Sequence, residues 1–465
     1  MIRARRMFAV LALCAATAMA VMGGTFTTLY SFCKTVGCPD GQYPWPALVQ
    51  GPNGSFYGTT VGGGTSFNGT IFKITPHGVL TTLHAFVGPE GGLPQAGLIL
   101  VTNGYFYGTT PGGGTNGDGT VCKMSAAGTV TAVHSFCTPG TCPDGNQAQA
   151  GVIQASNGLF YGTTNNGGAN RYGTVYKMTA SGTMTTLDDF GSANGYKTYA
   201  APVQANDGNL YGTTFTFGAN GWGTLYKMTP SGTLTVLYNF CAQWDCADGR
   251  NPWGGLIQGA DGYLYGTTET GGASESGTIF QITLGGALTT LYTFSGADGS
   301  RPYGSLVQGT DGNFYGTTYV GGAHGYGTIY QITPAGVLTT LHSFAGSDGQ
   351  YPMAGLIQGT NGIFYGTTEE GGTYGSGTVF SLSMGLKPFV ETVPVAAKVG
   401  AAVKILGNNL TGATSVSFNG TPAVYTVMSS TEITTKVPAG ATSGTVEVVT
   451  PGGTLASYPA FTVLP

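Results

Sequence analysis

Charged residues are scarce in this 465-residue sequence, in which Lys, Arg, Asp and Glu together make up only 8%. Glycine, by contrast, is present in 82 copies. Together with many Thr and Tyr residues, this composition suits short strands joined by tight turns and argues against long helices. The glycines show no period of three, which excludes a collagen-like chain.

Long apolar runs are also lacking, except near the N-terminus. Arg3, Arg5 and Arg6 precede an apolar run from Met7 to Met19, and the small residues Ala18 and Ala20 frame a cleavage site. This pattern predicts an export signal over residues 1–20, of the general secretory or the twin-arginine type. We therefore expect a secreted or cell-envelope protein whose mature chain has no membrane span.

Basic residues become fewer still once the export signal is removed. Its three arginines leave 13 basic against 20 acidic residues, so the mature net charge is −7. Nucleic-acid binding needs clustered Lys and Arg, so we expect no nucleic-acid partner.

An internal repeat organises most of the chain. The motif YGTT occurs seven times at intervals of 50 or 54 residues, beginning at Tyr57, Tyr107, Tyr161, Tyr211, Tyr265, Tyr315 and Tyr365. Each unit holds four strand candidates, typified by GLIQG, FYGTT, GTIYQIT and LTTLHSF. Such a period with strand-like segments indicates a propeller or a solenoid. Asn-Gly or Asp-Gly between the first two strands of every unit predicts a two-residue type I′ hairpin.

The two ends of the array decide between these architectures. The last unit stops after its third strand, whereas an orphan fourth strand, Thr25 to Phe32, stands at the mature N-terminus. Pairing of the two ends would close a ring and protect its edges. The sequence therefore predicts an all-β protein with a seven-bladed β-propeller of four-stranded blades, closed by the N-terminal strand.

The YGTT motif, the GG that follows it and the GTI or GTV strand resemble the GloVer tandem-repeat family of exported bacterial proteins. The resemblance covers roughly residues 25 to 383. It implies export and a repeat architecture, and it brings no assigned chemistry.

Residues 389–465 break the repeat. The segments Val403 to Leu410, Val416 to Gly420, Val437 to Gly440 and Val446 to Gly453 resemble the IPT/TIG immunoglobulin-like domain, and their alternating pattern independently favours a β-sandwich. The predicted organisation is a signal peptide over 1–20, a propeller over 21–384, a linker over 385–388 and a sandwich over 389–465.

Six of the seven mature cysteines form three local pairs, each directly after a fourth strand and within a loop that is four residues longer than its counterparts. Zinc would need four ligands, and neither His nor further Cys flanks the pairs. In an exported protein we expect disulfides instead, Cys33 with Cys38, Cys137 with Cys142 and Cys241 with Cys246. Cys122 occupies an aromatic position of a third strand and is predicted to be a buried free thiol.

Catalytic and metal-binding signals are lacking. Glu269, Glu369 and Glu370 follow YGTT and could form an acid–base pair, but no partner recurs at a defined spacing, so solvated loop charges are the favoured interpretation. His84, His134 and His342 share one fourth-strand position, as packing residues would. No nucleophile elbow, phosphate loop or metal triad is present, so we predict no catalytic residue, no metal and no cofactor.

One slot varies widely between the repeats. It follows the proline that precedes each first strand, and because that strand is the innermost of a blade, its side chains should ring the central channel on the face of the long loops. Aromatic rings and amides there would suit a sugar ligand, although packing between blades is the competing interpretation. The slot holds Trp45, Gln95, Gln149, Tyr199, Trp253, Tyr303 and Met353.

The leading functional hypothesis is thus a monomeric, non-catalytic binding or scaffold protein for a polysaccharide or cell-surface partner. The alternative is a carbohydrate-active propeller enzyme, a lyase or hydrolase, because propellers host both binding and catalysis. Near-uniform repeats favour binding.

Overall fold

The computed structural model describes residues 24–137 and 142–464, so the predicted export signal lies outside the described residues. Seven four-stranded antiparallel sheets follow the repeat, and a sandwich of shorter strands follows them. Apart from a single 3-10 turn at Trp244–Cys246, the described regular structure is all β. No helix in these residues is long and apolar enough to cross a membrane.

Each blade uses its four strands in chain order, with the exception of the blade that closes the ring. Blade 1 comprises β2 (Val49–Gln50), β3 (Phe56–Thr60), β4 (Thr70–Ile74) and β5 (Leu80–Ala85). Blade 2 comprises β6 (Ile99–Leu100), β7 (Phe106–Thr110), β8 (Thr120–Met124) and β9 (Val130–Ser135). Blade 3 comprises β10 (Val152–Gln154), β11 (Phe160–Thr163), β12 (Thr174–Met178) and β13 (Met184–Asp189). Blade 4 comprises β14 (Val203–Gln204), β15 (Leu210–Thr214), β16 (Thr224–Met228) and β17 (Leu234–Asn239). Blade 5 comprises β18 (Ile257–Gln258), β19 (Leu264–Thr268), β20 (Thr278–Ile282) and β21 (Leu288–Thr293). Blade 6 comprises β22 (Val307–Gln308), β23 (Phe314–Thr318), β24 (Thr328–Ile332) and β25 (Leu338–Ser343). Blade 7 comprises β26 (Ile357–Gln358), β27 (Phe364–Thr368), β28 (Thr378–Ser383) and, from the other end of the chain, β1 (Thr25–Ser31).

The predicted ring closure is confirmed. β1 pairs antiparallel with β28, from Thr25 opposite Ser383 to Ser31 opposite Thr378. The closing blade also contacts blade 1 as the other blades contact their neighbours, because the Tyr365 ring packs 4.0 Å from the Phe56 ring and the Gln50 side chain accepts a 2.9 Å hydrogen bond from the Thr360 N–H. The two ends of the array are therefore joined by both a sheet ladder and core packing.

The YGTT and GT motifs meet in a buried hydroxyl pair within every blade. The second Thr of YGTT lies 2.8–3.0 Å from the Thr that begins the third strand, as in Thr268 with Thr278. These hydroxyls lie under a glycine of the preceding long loop, such as Gly249, whose φ of +87° is left-handed. Glycine suits this place because it tolerates that φ and has no Cβ to strike the hydroxyls. The signature residues of the repeat are therefore explained by packing inside the blade.

Gly249 offers a direct test of this packing against a matched control. Gly262, at the tip of a tight turn, has the same φ of +87°, but an added Cβ would meet nothing within 4 Å, whereas at Gly249 it would lie 2.2 Å from Thr268 Oγ1. We expect Gly262→Ala to lower the free energy of unfolding by about 1–2 kcal/mol through backbone strain. Gly249→Ala should cost a further ~1–3 kcal/mol through the steric clash, measured by urea denaturation. Equal losses in the two variants would contradict the proposed role of the hydroxyl pair.

The tight turns between first and second strands differ from the expected type I′ hairpin. Their Gly has positive φ, but the preceding Asn or Asp does not. In blade 1 the Gly54 N–H bonds to the Gly51 carbonyl and the Gly51 N–H to the Ser55 carbonyl, which is a three-residue loop with a left-handed glycine. Asn53 accepts a 3.1 Å hydrogen bond from the Ser55 N–H, so its side chain stabilises the turn without a left-handed backbone.

The C-terminal residues form the predicted immunoglobulin-like sandwich. One sheet contains β29 (Glu391–Val393), β31 (Ala402–Leu406), β35 (Glu432–Lys436) and β34 (Tyr425–Val427). The facing sheet contains β33 (Thr421–Pro422), β32 (Ser415–Phe418), β36 (Val446–Thr450) and β37 (Gly453–Ala456), and β30 (Ala396–Lys398) pairs in parallel with β38 (Thr462–Leu464). The core between them includes Val403, Ile405, Phe418, Val448 and Phe461.

The sandwich contacts the tight-turn face of the propeller. The Phe389 N–H donates to the Thr360 carbonyl at 2.9 Å, and Asn408 Nδ2 donates to Thr360 Oγ1 at 2.7 Å. Thr431 Oγ1 donates to the Pro52 carbonyl at 2.7 Å. Residues 52 and 360 belong to tight turns, which lie at the opposite ends of the strands from the long loops. These contacts therefore leave the long-loop face free.

The structure contains the three expected disulfides, Cys33–Cys38, Cys137–Cys142 and Cys241–Cys246. Cys122 is reduced and buried, and burial raises the pKa of its thiol to about 12. The sulfur stands where most blades place an aromatic ring, beneath the glycine of YGTT.

Each disulfide closes only a short loop, so its contribution to stability should be small. We expect Cys241→Ser with Cys246→Ser to lower the free energy of unfolding by about 2 kcal/mol, the low end of the usual range. Denaturation curves of wild type and variant would measure this, with reduced wild type as the control. Non-reducing peptide mapping should recover each pair internally linked, and free thiols at all seven positions in exported protein would contradict the assignment.

Candidate functional site

The long loops meet on one face of the propeller, where the loop before each first strand pairs with the loop after the second. In blade 1, for example, the Gln42 and Gly62 backbones exchange two hydrogen bonds of 2.9 and 3.0 Å. The segments that lead into the first strands of neighbouring blades approach so closely that a Cβ on Gly355 would lie 2.2 Å from the Ser305 carbonyl oxygen. The first strands are therefore innermost, and the residues just before them lie around the centre of this face.

All seven residues of the variable slot are half-buried. Five of them stand beside a second variable slot, the residue directly after YGTT, in their own blade or in the preceding one; the five are Trp45, Gln149, Tyr199, Trp253 and Tyr303. This second slot holds Val61, Pro111, Asn165, Phe215, Glu269, Tyr319 and Glu369. Sequence reasoning noted its acids but not its contact with the first slot, because that contact requires the long loops to meet.

Aromatic rings from blades 4 to 6 form a continuous stack, which we call the aromatic arc. Tyr199 and Trp253 are stacked with centroids 3.8 Å apart and planes 10° apart, and Tyr303 follows Trp253 at 4.9 Å. Phe215 packs edge-on against the first two rings, and Tyr319 follows Tyr303 at 4.9 Å. Trp253 is thus held between rings from both neighbouring blades, as expected of a residue that packs between blades.

The rest of the variable slot has different surroundings. No aromatic ring among the described residues contacts Trp45, and Gln95 makes no side-chain hydrogen bond to them. Gln149 is occupied, since its amide oxygen accepts a hydrogen bond from Asn165. The seven residues of the variable slot therefore fall into two groups: those packed in the aromatic arc and those with fewer neighbours. Trp45 has the largest side chain of the second group.

Glu269 and Glu369 are half-buried rather than solvated. Tyr303 donates to Glu269 Oε1 at 3.0 Å, and Tyr319 donates to Glu369 Oε2 at 3.2 Å. Burial raises the pKa of Glu269, against the opposing effects of the Tyr303 hydrogen bond and the nearby Arg301 charge. Burial also raises the pKa of Glu369, which has Glu370 as an additional repelling neighbour. Both carboxyls thus belong to the same cluster as the aromatic rings.

A concavity away from the variable slots lies in blade 3, between the loop after Cys142 and the fourth strand β13. Its walls include Asn146, Arg171, Asp188 and Asp189. Burial raises the pKa of Asp188, with repulsion from Asp189 as a further cause. The cleft lies in the one blade whose fourth strand carries Asp at a position where the other blades carry Tyr or His. This departure from the repeat is the sequence signal that could have pointed to the cleft.

Exposed apolar side chains mark the tips of two disulfide loops. Val36 and Trp244 each stand three residues after the first cysteine of a pair, and Trp244 is 94% exposed. The equivalent tip of the third loop lies outside the described residues. These tips lie at the rim of the long-loop face, at the ends of fourth strands.

The three histidines on the fourth strands each bond to a carboxylate of the following long loop, a contact that sequence reasoning missed. In three other blades a Tyr on the fourth strand donates to an Asp of the following loop in the same way. In blade 3 the strand residue is the acceptor, because Asn194 of the loop donates to Asp188 of the strand. The pairs are Tyr30–Asp40, His84–Glu90, His134–Asp144, Asp188–Asn194, Tyr238–Asp248, Tyr292–Asp298 and His342–Asp348. A donor and an acceptor are present in every blade, so this position ties the strand to its loop and needs no catalytic explanation.

These pairs predict acid sensitivity. Burial alone would raise the pKa of Asp144, but hydrogen bonds from His134 and the Cys137 N–H lower it below its ordinary value. A carboxyl whose pKa is depressed by folding stabilises the protein above its unfolded value, about 3.9, and loses this contribution as pH falls through the folded value. We expect wild type to lose stability from this site below roughly pH 4 and Asp144→Asn to lose less, measured by denaturation at pH 3 to 7.

Asp188 serves as a control of opposite sign. Because its pKa is raised in the folded state, protonation should relieve a destabilising charge as pH falls through that value. Asp188→Asn should therefore gain stability at neutral pH and lose the advantage in acid. Identical pH profiles for both variants would contradict the assignment of these pairs.

Among the described residues, one group of potential metal-ligand atoms lies close together, and it consists of Asp118, Cys137 and Cys142. The two sulfurs are joined to each other in a disulfide, so they are not available as thiolate ligands.

Comparison with known proteins places both parts of the chain. Residues 16–204 and 148–380 match the family model described as the Gloeobacter/Verrucomicrobia repeat, and residues 390–463 match the IPT/TIG domain. A search of curated proteins found no match.

Among solved structures, the chain is similar to an extracellular domain assigned to a hybrid two-component system of B. thetaiotaomicron, with 11% identity and a TM-score of 0.51. The alignment covers 94% of this chain but 47% of that domain, so the chain spans about half the length of its neighbour. An extracellular domain assigned to a one-component system of the same organism gives 10% identity and a TM-score of 0.49 over 94% of this chain and 59% of that one. At 11% identity, the likeness to the first of these domains shows the fold alone.

Proposed function

The chain belongs to the Gloeobacter/Verrucomicrobia repeat family, and we propose that it is an exported, non-catalytic protein that binds a glycan or a glycan-bearing cell-surface partner through its long-loop face. One observation carries the proposal. Half-buried aromatic rings, amides and carboxyls gather at the centre of the face that the C-terminal sandwich leaves free. Such a mixture of apolar surface and a few fixed polar groups is typical of ligand sites.

The irregularity of the two variable slots also supports binding. The hydroxyl pairs and the strand-to-loop pairs are maintained around the ring, as structural needs require. The two slots at the centre instead vary between Trp, Tyr, Phe, Gln, Asn, Glu, Met, Val and Pro. A face with different chemistry on each side can orient one ligand, whereas a symmetric ring would bind it equally in seven orientations.

The experiment is a glycan-array screen of the mature protein, followed by titration of the strongest ligand. Trp45→Ala should remain folded and lose binding, because a stacked sugar would lose its aromatic partner. Asp188→Asn in the blade 3 cleft is the matched control and should bind normally. If Trp45→Ala binds as wild type does, or if no glycan or glycan-bearing surface is bound, the proposal is wrong.

A carbohydrate-active enzyme is the second candidate, favoured by the raised pKa values of Glu269 and Glu369 beside tyrosine hydroxyls. Carboxyls with raised pKa values can act as general acids. A degradation assay on the bound polysaccharide separates the two functions. Release of new chain ends that is lost in Glu369→Gln, with binding retained, would establish the enzyme and exclude the purely binding role.

A further inference from the structure

The variable slots place two similar carboxyls in unequal electrostatic surroundings. Glu269 and Glu369 follow YGTT in blades 5 and 7, both are half-buried, and both accept a tyrosine hydroxyl. Glu269 has Arg301 nearby, whose charge favours its ionised form. Among the described residues, no basic group lies within ion-pair distance of either carboxyl, and Glu370 adds a like charge beside Glu369. Glu369 therefore lacks even the more distant positive charge that its twin has.

Trp45 stands next to this uncompensated carboxyl. Burial raises the pKa of Glu369 overall, but the Trp45 indole N–H faces this carboxyl and opposes the rise, as the Tyr319 hydroxyl does. Indole Nε1 is buried, and it makes no hydrogen bond of ordinary geometry to the described residues. The neighbourhood is held across the ring closure, because Thr367 Oγ1 donates to the Pro46 carbonyl at 3.3 Å. An aromatic ring with no ring partner and a carboxyl with no counter-charge thus share one place.

This pair of features is suited to a particular ligand chemistry. A half-buried carboxylate is stabilised by an ammonium group, which supplies both charge and hydrogen-bond donors. An indole ring attracts a cation to its face and also packs on the apolar face of a sugar ring. An anionic sugar would instead meet Glu369 and Glu370 and be repelled.

We propose that the Trp45–Glu369 corner of the long-loop face selects amine-bearing sugars, so that the glycan recognised is a chain of amino sugars with free amines rather than a uronic-acid polymer. The inference rests on the proposed function and specifies the class of its ligand. Trp45 packs on the sugar ring, and Glu369, held by Tyr319, pairs with the ammonium. Glu269, which has the Arg301 charge in its surroundings, contributes less to this selectivity.

The test compares three oligosaccharides by calorimetric titration: a glucosamine hexamer, its N-acetylated counterpart and a galacturonic acid hexamer. We expect the free-amine hexamer to bind at least about tenfold more tightly than the acetylated one, a difference of about 1.4 kcal/mol. The acidic hexamer should bind most weakly. Added salt should weaken the first interaction more than the second, because only the first contains an ion pair.

Glu369→Gln is the decisive variant, since the amide oxygen can still accept the Tyr319 hydroxyl and the fold should be kept. It should lose most of the preference for free amines, whereas Glu269→Gln should retain most of it. Wild-type affinity for the amine hexamer should also decline as pH falls through the raised pKa of Glu369, and the variant should lack this decline. A purely structural role for Glu369 would not produce that difference in pH profile.

The outcomes separate the two proposals. Binding of neutral glycans that depends on Trp45, with no preference for amines or no effect of Glu369→Gln, would overturn the amine selectivity and leave the proposed function in place. Preference for the acidic hexamer would do the same. Failure of every glycan and glycan-bearing surface to bind would overturn both.

Discussion

Replacing Trp253 with alanine is expected to lower the free energy of unfolding by about 3 kcal/mol, the low end for a buried Trp, because the indole is half-buried. Its ring is stacked on Tyr199, contacts Tyr303 and meets the edge of Phe215, so removal leaves a gap between rings of the two neighbouring blades. Stacked and edge-on contacts add to the area that is buried. Urea denaturation of the wild-type and variant proteins measures the loss.

Trp45→Ala is the matched comparison at the same slot in blade 1. Without aromatic neighbours among the described residues, Trp45 should cost only about 1–2 kcal/mol when truncated, through lost apolar burial. We therefore expect one tryptophan to matter mainly for stability and the other mainly for binding. A larger stability loss at Trp45 than at Trp253 would contradict this division.

Removing β1 by deleting residues 24–32 should have the largest effect on the fold. The deletion exposes the edge of β28 and removes Phe32, which is fully buried among core residues including Phe72. Truncation of that Phe alone would cost about 3–5 kcal/mol, and the lost ladder with β28 adds to it. We expect the shortened chain to unfold at markedly lower urea concentration and to aggregate through the open edge.

A peptide of residues 24–33 provides the control for this deletion. Added in excess, it should occupy the vacant edge and restore part of the lost stability, because anything that binds only the folded state stabilises it. A peptide with Phe26 and Phe32 replaced by Ser should not. If the shortened chain is as stable as the full one, ring closure by β1 does not contribute as we infer.

The repeat made much of the fold predictable because its signals are local and recur seven times. Tyr57 and its six equivalents marked the second strands, and the displaced segment that forms β1 revealed the closed ring. The cysteine spacing gave the disulfides in the same way. The turn type was predicted wrongly, since Asn53 acts through its side chain and the left-handed residue is Gly54 alone. A dipeptide signal does not distinguish a two-residue from a three-residue loop when both place glycine last.

The sequence by itself determined the blade count, the closure of the ring and the position of the first variable slot, because each follows from the periodicity of the repeat and the strand at which it starts and stops. Tertiary structure alone decided that a second slot lies beside the first and which members of the two slots act together. Trp45 and Glu369 are more than 300 residues apart and become neighbours only across the closed ring, whereas Trp253 becomes a packing residue because adjacent blades happen to supply tyrosines. Stacking and charge compensation depend on distances of a few ångströms between separate blades, and no local pattern in the sequence encodes those distances.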